Sequence, residues 1–385
     1  MRLSWRSQPV AAQDLSSTSV QRSSAGTKRN THGLSADAVF SSAPIPLSSV
    51  QALSFDGAMV TVVGAHLPPR GDPGLLRAEF EPGVHASFEY PLASPDWGDH
   101  YWYWPNAEQS AFRVTVDLPA CESDSNPFRF RLVTDTGRVS TVFLTPDMSA
   151  AIGFPNQGNQ LSRVQTFDTA RSVFLSGYNH YGLVADILNE YGIGRDDEVS
   201  ILDWGCGHGR LSRHFLHNWP KARLTGLDID AENVGWCAAR FPAGSFLLGP
   251  LHPPTSLPSN TFDVVFAISV MTHLAADVQS EWLSELARVL KPGGLALLTF
   301  HGAAAAAFSS VDRDRDWWAR WIRDEFDDGA IDKAIQTADE SYYRSTFQTE
   351  NNVRQTWTDH FDIIDVRPAL FGYQDVAILR NRGSR

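Results

Sequence analysis

Residues 201–213 read ILDWGCGHGRLSR, and no other stretch constrains the fold as much. Apolar residues and an aspartate run into Gly-x-Gly-x-Gly at Gly205, Gly207 and Gly209, and the chain then turns amphipathic. A strand that breaks into glycines and resumes as a helix is a βα crossing of a parallel sheet. Glycine lets the backbone approach a ligand, and the helix start offers N–H groups that lack helical partners.

The rest of residues 165–385 fits that sheet. Residues 165–192 have a helical pattern. Apolar strand candidates then alternate with amphipathic stretches: 199–204, 222–228, 245–249, 262–269, 295–301, 361–367 and 374–380. The clearest helix is DVQSEWLSELARVLKPGG, with Trp282, Leu286, Val289 and Leu290 as its stripe and Pro292-Gly293-Gly294 as its end. Alternating strands and helices mean βαβ units, whose ligands sit beyond the carboxyl ends of the strands.

Two details of the glycine turn choose among nucleotide cofactors. The spacing is G-x-G-x-G, not the dinucleotide G-x-G-x-x-G. Asp203 also stands at the entrance, where a carboxylate repels a pyrophosphate and attracts a cation. S-adenosylmethionine carries an ammonium and a sulfonium and no phosphate, so Asp203 is expected to face its amino-acid end. Asp228, 25 residues later in LTGLDID, ends the next strand, where a carboxylate accepts ribose hydroxyls well. Asp230 reads as the cap of the following helix. The competing functions are an NAD(P)-dependent oxidoreductase on the same sheet type and a non-catalytic scaffold with a degenerate fold.

Residues 165–381 resemble the class I S-adenosylmethionine-dependent methyltransferases, on the motifs LDWGCGHGR, LTGLDID, FDVVFAISVMTHL, LARVLKPGGLALLTFHG and GYQDVAILR. The resemblance implies a Rossmann-like sheet of seven strands whose last strand is antiparallel. It implies that Gly205, Cys206 and Gly207 line the methionine, that Asp228 holds the ribose, that Gly209 and Ile229 also belong to the cofactor site, that Leu251 and its neighbours border the adenine and that Ser269 closes the far side. By the same likeness FLSG, with Ser176 and Gly177, covers the cofactor. One departure stands out. Related sequences often carry an acidic or amide residue near the adenine amino group, whereas this chain has Gly249-Pro250.

A sulfonium is already an activated donor, so the protein must align the acceptor and exclude water. A hydroxyl acceptor also needs a base. His273, after the fourth strand, and His301, ending the fifth, are the candidates, since histidine titrates near neutrality. MTHL also fits a simple helix start with His273 packed beneath it. His208 and His214 read as surface or packing residues. No His/Glu spacing matches a metal site, so metal-free catalysis is expected. Residues 302–350 form an insertion, which in related enzymes covers the acceptor. Trp317 and Trp321, like Trp318 and Ile322, are four apart and give one broad aromatic helix face. Trp318, Tyr342, Tyr343 and Arg344 are the candidate acceptor contacts; the alternative is that the tryptophans pack against the front of the chain.

That front has a different texture. Residues 1–48 are serine-rich and poor in acidic groups, which fits a disordered tail, with an organelle transit peptide as the alternative. Residues 49–150 hold short alternating runs, AMVTVVGAH, LLRAEF, HASFEYPL and AFRVTVDLP, and the hairpin FRFRLVTDTGRVSTVFLTP with Asp135-Thr136-Gly137 at its turn. They predict a small all-β sandwich-like domain. Residues 151–164, including GFPNQGNQ, read as the linker. Trp97, Tyr101, Trp102, Tyr103 and Trp104 crowd into eight residues, as a core, as a protein interface that could make a homo-oligomer, or as a sugar-stacking platform. A net charge of −12 argues against nucleic acid, and no apolar run reaches the ~20 residues of a membrane span. Three scattered cysteines, Cys121, Cys206 and Cys237, suggest reduced thiols and a cytoplasmic protein. The expected acceptor is a small molecule or a glycan.

Overall fold

A computed structural model describes residues 47–56, 59–68, 74–102, 104–117, 128–134, 139–145, 170–309, 315–331 and 342–383. The expected tail up to residue 46, the linker at 151–164, the hairpin turn at 135–137, Tyr103 and Cys121 lie outside the described residues.

Seven strands come first: β1 (Leu47–Asp56), β2 (Met59–Leu67), β3 (Leu76–Phe80), β4 (His85–Leu92), β5 (Ala111–Asp117), β6 (Phe128–Thr134) and β7 (Val139–Leu144). They form two antiparallel sheets, β1-β2-β5-β4 and β3-β6-β7. Period-2 alternation puts Val60 and Val62 of β2 and Val114 and Val116 of β5 inside. Phe130 and Leu132 of β6 and Val142 and Leu144 of β7 join them in one core. A short helix, α1 (Pro95–His100), opens the aromatic-rich stretch between β4 and β5.

Helix α2 (Ala170–Glu190) belongs to two cores at once. Its Phe174 and Leu175 complete the core of the β-rich unit. Its Tyr178, Val184, Ile187 and Leu188 pack on the following parallel sheet, together with Phe143 of β7. Two contacts fix this junction. The Phe143 N–H donates to Asn179 Oδ1 at 2.9 Å. Gly182 also leaves room for the Phe143 ring, because a Cβ there would lie 2.2 Å from its Cγ.

The second unit contains β8 (Ser200–Trp204), α3 (Ser212–Asn218), β9 (Arg223–Asp228), α4 (Ala231–Arg240), β10 (Ser245–Leu248), β11 (Phe262–Ala267), α5 (Ala276–Val289) and β12 (Leu290–Phe300). Next come α6 (Ala303–Phe308), α7 (Arg315–Asp324), the ribbon β13 (Phe326–Ile331) and β14 (Arg344–Gln348), α8 (Glu350–Thr356), β15 (Phe361–Phe371) and β16 (Gln374–Asn381). The seven-stranded sheet runs β10-β9-β8-β11-β12-β16-β15. β16 is antiparallel to both neighbours, and the pairs from β10 to β12 are parallel. All seven strands overlap the windows expected from sequence, though β12 begins five residues earlier, at Leu290, and β15 runs on to Phe371. This order puts β8 and β11 side by side at the centre, with Asp203 paired to Gly226 on one side and Phe266 on the other.

Two local expectations need correction. Helix α5 stops at Val289, and Leu290 is already extended, so Leu290 is buried by the sheet and not by the helix stripe. Pro292 disfavours helical backbone in the residue before it, and the exit therefore precedes the Pro-Gly-Gly run. In α7, Trp317, Trp318 and Trp321 are buried but Ile322 is 51% exposed. The three indoles cluster with Leu67, Tyr101 and Trp104 of the front unit. Tyr101 and Trp104, 2% and 4% exposed, are spent on this internal contact, so they offer neither a sugar platform nor a face for a second copy. Among the described residues no helix is long and apolar enough to cross a membrane.

Candidate active site

The glycine turn is built by backbone shape. Gly205, Gly207 and Gly209 have φ of +76°, +53° and +72°, the left-handed region that a side chain resists. Space adds to this at Gly205, where a Cβ would lie 2.4 Å from Val270 Cγ2. The turn folds back on β9, with the Gly205 and Cys206 N–H groups both donating to the Leu227 carbonyl at 2.8 and 3.2 Å.

Two carboxylates flank the turn. Asp203 is 5% exposed and accepts from Ser212 Oγ at 2.6 Å. Burial pushes its pKa up to about 7, against the Ser212 hydroxyl, and the nearby Asp228 charge adds to the rise. Asp228 accepts the Gly207 N–H at 2.7 Å on one oxygen and the Asp230 N–H at 2.8 Å on the other. Burial raises its pKa as well, opposed by those N–H groups. Asp230 caps α4 as the sequence suggests, accepting from the Glu232 and Asn233 N–H groups.

Helix α2 reaches the turn through Arg210. Its Nη1 donates to Ser176 Oγ at 3.3 Å and lies 2.8 Å from His180 Nδ1. A guanidinium has no acceptor, so Nδ1 accepts and His180 carries its proton on Nε2. Burial and then the Arg210 charge hold the His180 pKa well below its usual value, so the ring is neutral. Gly177 lets the helix come this close, since a Cβ there would sit 2.6 Å from the Arg210 carbonyl oxygen. His208 and His214 are both buried. The His208 pKa falls to about 3 through burial and the nearby Arg213 and Arg210, and His214 packs on Phe174 and Tyr178.

Beyond the strand ends lies a cleft of about 910 Å³, open solvent at its mouth included. Of the residues singled out from sequence, Gly205, Gly207, Asp228, Ile229, Ser269, His273, Tyr342 and Tyr343 line it. Ser269 does so at φ +64°, with its N–H on Thr299 Oγ1 and its hydroxyl accepting from Gln374 Nε2 at 2.7 Å. His273 ends a short 3-10 turn and meets Tyr343 edge-on at 6.0 Å. The Tyr342 hydroxyl and Trp282 Nε1 both donate to the Leu251 carbonyl, so Tyr342 grips the loop after β10.

Asp203, Cys206, Gly209, Ser176, Gly177 and Leu251 support the cleft without lining it. His301, Arg344 and Trp318 are also outside its lining. The His301 ring packs on Phe347 and Tyr373, Arg344 opens β14, and Trp318 is in the aromatic cluster facing the front unit. The cleft also uses Trp204, Asn233 and Trp282, which sequence reasoning passed over. Trp282 was legible only as a core residue, and nothing marked Asn233.

A model of the methyltransferase domain family matches residues 201–294, which contain the glycine turn, Asp228, Ser269 and His273. The uncharacterized methyltransferase YdaC of Bacillus subtilis is 30% identical over 138 residues, which make up 36% of this chain and 73% of YdaC. The chain belongs to the class I S-adenosylmethionine-dependent methyltransferases. The probable methyltransferase ltbC of Aspergillus luteorubrus is 32% identical over 136 residues, or 32% of this chain and 47% of that protein. The trans-aconitate 2-methyltransferase of Azoarcus sp. (strain BH72) is 32% identical over 100 residues, or 26% of this chain and 38% of that protein. This chain thus spans less than half the length of those two relatives. In this cleft the left-handed glycines leave the backbone open to close approach, and Asp203 and Asp228 place two carboxylates beside the turn.

Proposed function

We propose that the protein transfers a methyl group from S-adenosylmethionine to an oxygen of a small molecule, a sugar or another natural product. The carrying observation is that His273 and Tyr343 line the same cleft as Gly205, Gly207 and Asp228. When bound, S-adenosylmethionine supplies a methyl group already activated by its sulfonium. The chain's residues do the rest. Asp203 attracts positive charge at the end of β8, and Asp228 accepts hydroxyl hydrogens. His273 is placed to take the proton of an acceptor hydroxyl, and Tyr343 flanks it. Trp318 and Arg344 have no part in this reading, and His301 is left to a packing role.

The front sheets support a division into a sandwich-like domain at 49–150, a linker at 151–164 and a methyltransferase domain at 165–385. The buried free thiols of Cys206 and Cys237 favour a reducing, cytoplasmic setting. The test incubates the protein and methyl-labelled S-adenosylmethionine with fractionated host extract and identifies the labelled product. A label on oxygen that is lost in His273→Ala, with S-adenosylhomocysteine binding retained, is the expected result. A label on carbon or nitrogen refutes the oxygen assignment.

A further inference from the structure

Asn233 is the third residue of α4, the helix that starts just after Asp228. It shares a helix face with Cys237, one turn on, whose thiol reaches the Gly207 carbonyl at 3.4 Å. That face looks onto the glycine turn, and Asn233 lines the cleft beside Gly207, Asp228 and Ile229. The residue is only 1% exposed. Its side-chain oxygen is buried and has no hydrogen-bond partner among the described residues. An apolar side chain of similar volume would fill this position without an unpaired polar group.

The neighbour on the cleft wall indicates what completes the amide. Each Asp228 oxygen already accepts one backbone N–H, and a carboxylate has further lone pairs but nothing to donate. A vicinal diol brings two O–H donors. Asp228 can take one, and the Asn233 side-chain oxygen is an acceptor for the other. We propose that the Asn233 carboxamide is a second contact for the ribose diol of the cofactor, acting beside Asp228. The proposal rests on the cofactor assignment above and adds a residue whose buried carboxamide oxygen accepts the hydroxyl hydrogen that Asp228 does not take.

The test compares wild type with Asn233→Met by calorimetric titration of S-adenosylhomocysteine and its 2′-deoxy and 3′-deoxy analogues, alongside thermal melts without ligand. The variant should bind S-adenosylhomocysteine about tenfold more weakly or worse, the scale of one lost hydrogen bond. Against at least one deoxy analogue the two proteins should match, because the partner hydroxyl is already gone. The ligand-free variant should melt no lower than wild type, since an unpaired buried amide has been removed. Equal affinity for S-adenosylhomocysteine in the two proteins overturns the proposal. So does a loss of the same size for all three ligands. Should Asn233→Met misfold, Asn233→Ala is expected to give the same pattern of ratios. Failure of wild type to bind S-adenosylhomocysteine would instead strike the cofactor assignment itself.

Discussion

Asp203→Asn is the substitution that most directly probes the electrostatics of the cleft. In the ligand-free protein burial lifts the Asp203 pKa from 3.8 to about 7. A carboxyl raised in the folded state stabilises the fold fully below its unfolded pKa, and that contribution disappears as pH climbs through the folded one. The window therefore runs from about pH 4 to about pH 7. A rise of about three units at 1.36 kcal/mol each corresponds to about 4 kcal/mol, an upper bound because the site can relax. A cofactor ammonium reverses the balance by favouring the ionised carboxylate. Affinity should therefore grow about tenfold per unit between about pH 5 and pH 7, a range in which an α-ammonium keeps its proton. Titration calorimetry with S-adenosylhomocysteine across that range measures the slope, and thermal melts measure the opposite trend in the ligand-free protein. Asp203→Asn has nearly the same shape and no charge to gain. It should bind at least tenfold more weakly at pH 7, show little slope, and melt with less dependence on pH. A flat wild-type profile, or the same slope in the variant, would refute the idea that Asp203 is the cation's partner.

Two further substitutions test the packing that surrounds the cleft. Gly182→Ala sets helix propensity, a gain of about 1 kcal/mol, against overpacking on Phe143, a cost of about 1–3 kcal/mol. With a Cβ 2.2 Å from the ring, the clash should win and chemical denaturation should show net destabilisation. Trp321→Ala empties a site only 1% exposed in the cluster between the two units, and a loss of about 3–5 kcal/mol is expected in the same assay.

The parallel sheet was legible because its evidence is local. An apolar run with glycines at its end announces a strand tip, and β8 to Asp228 followed from spacing alone. The helix end beside a proline was less readable, because Pro292 acts on the residue before it and α5 ends earlier, at Val289. The aromatic stretches at 97–104 and 317–321 could each be seen, but their contact joins positions some two hundred residues apart and leaves no periodic trace. β1 was not among the strands named from sequence. Its register against β2 is set by the partner strand, and its own residues carry little alternation. Tyr342 was expected at the acceptor, and its hydroxyl is committed to the Leu251 carbonyl in the loop after β10. Asn233 gave no signal because polar residues are ordinary in the first turn of a helix.

The shared helix gives the front unit a physical route into the cofactor turn. Phe143 of β7 is hydrogen-bonded to Asn179 and packed where Gly182 lacks a side chain, so α2 cannot shift without disturbing the front core. The same helix bears Gly177 against the Arg210 carbonyl and Ser176 against the Arg210 guanidinium. Arg210 in turn lowers the Asp203 pKa by its charge. A second tie runs through the ribbon. Thr346 donates to the Leu274 carbonyl, and the Gln348 N–H donates to the His301 carbonyl, so β14 is fastened to the turn that carries His273 and to the end of β12. Phe347 between them joins the aromatic cluster with Tyr101 and Trp104. Front sheets, helix and ribbon thus close a loop of contacts around the cleft. Close-packed interfaces of this kind transmit displacement instead of absorbing it. The β-rich unit is therefore part of the framework that positions Asp203 and His273.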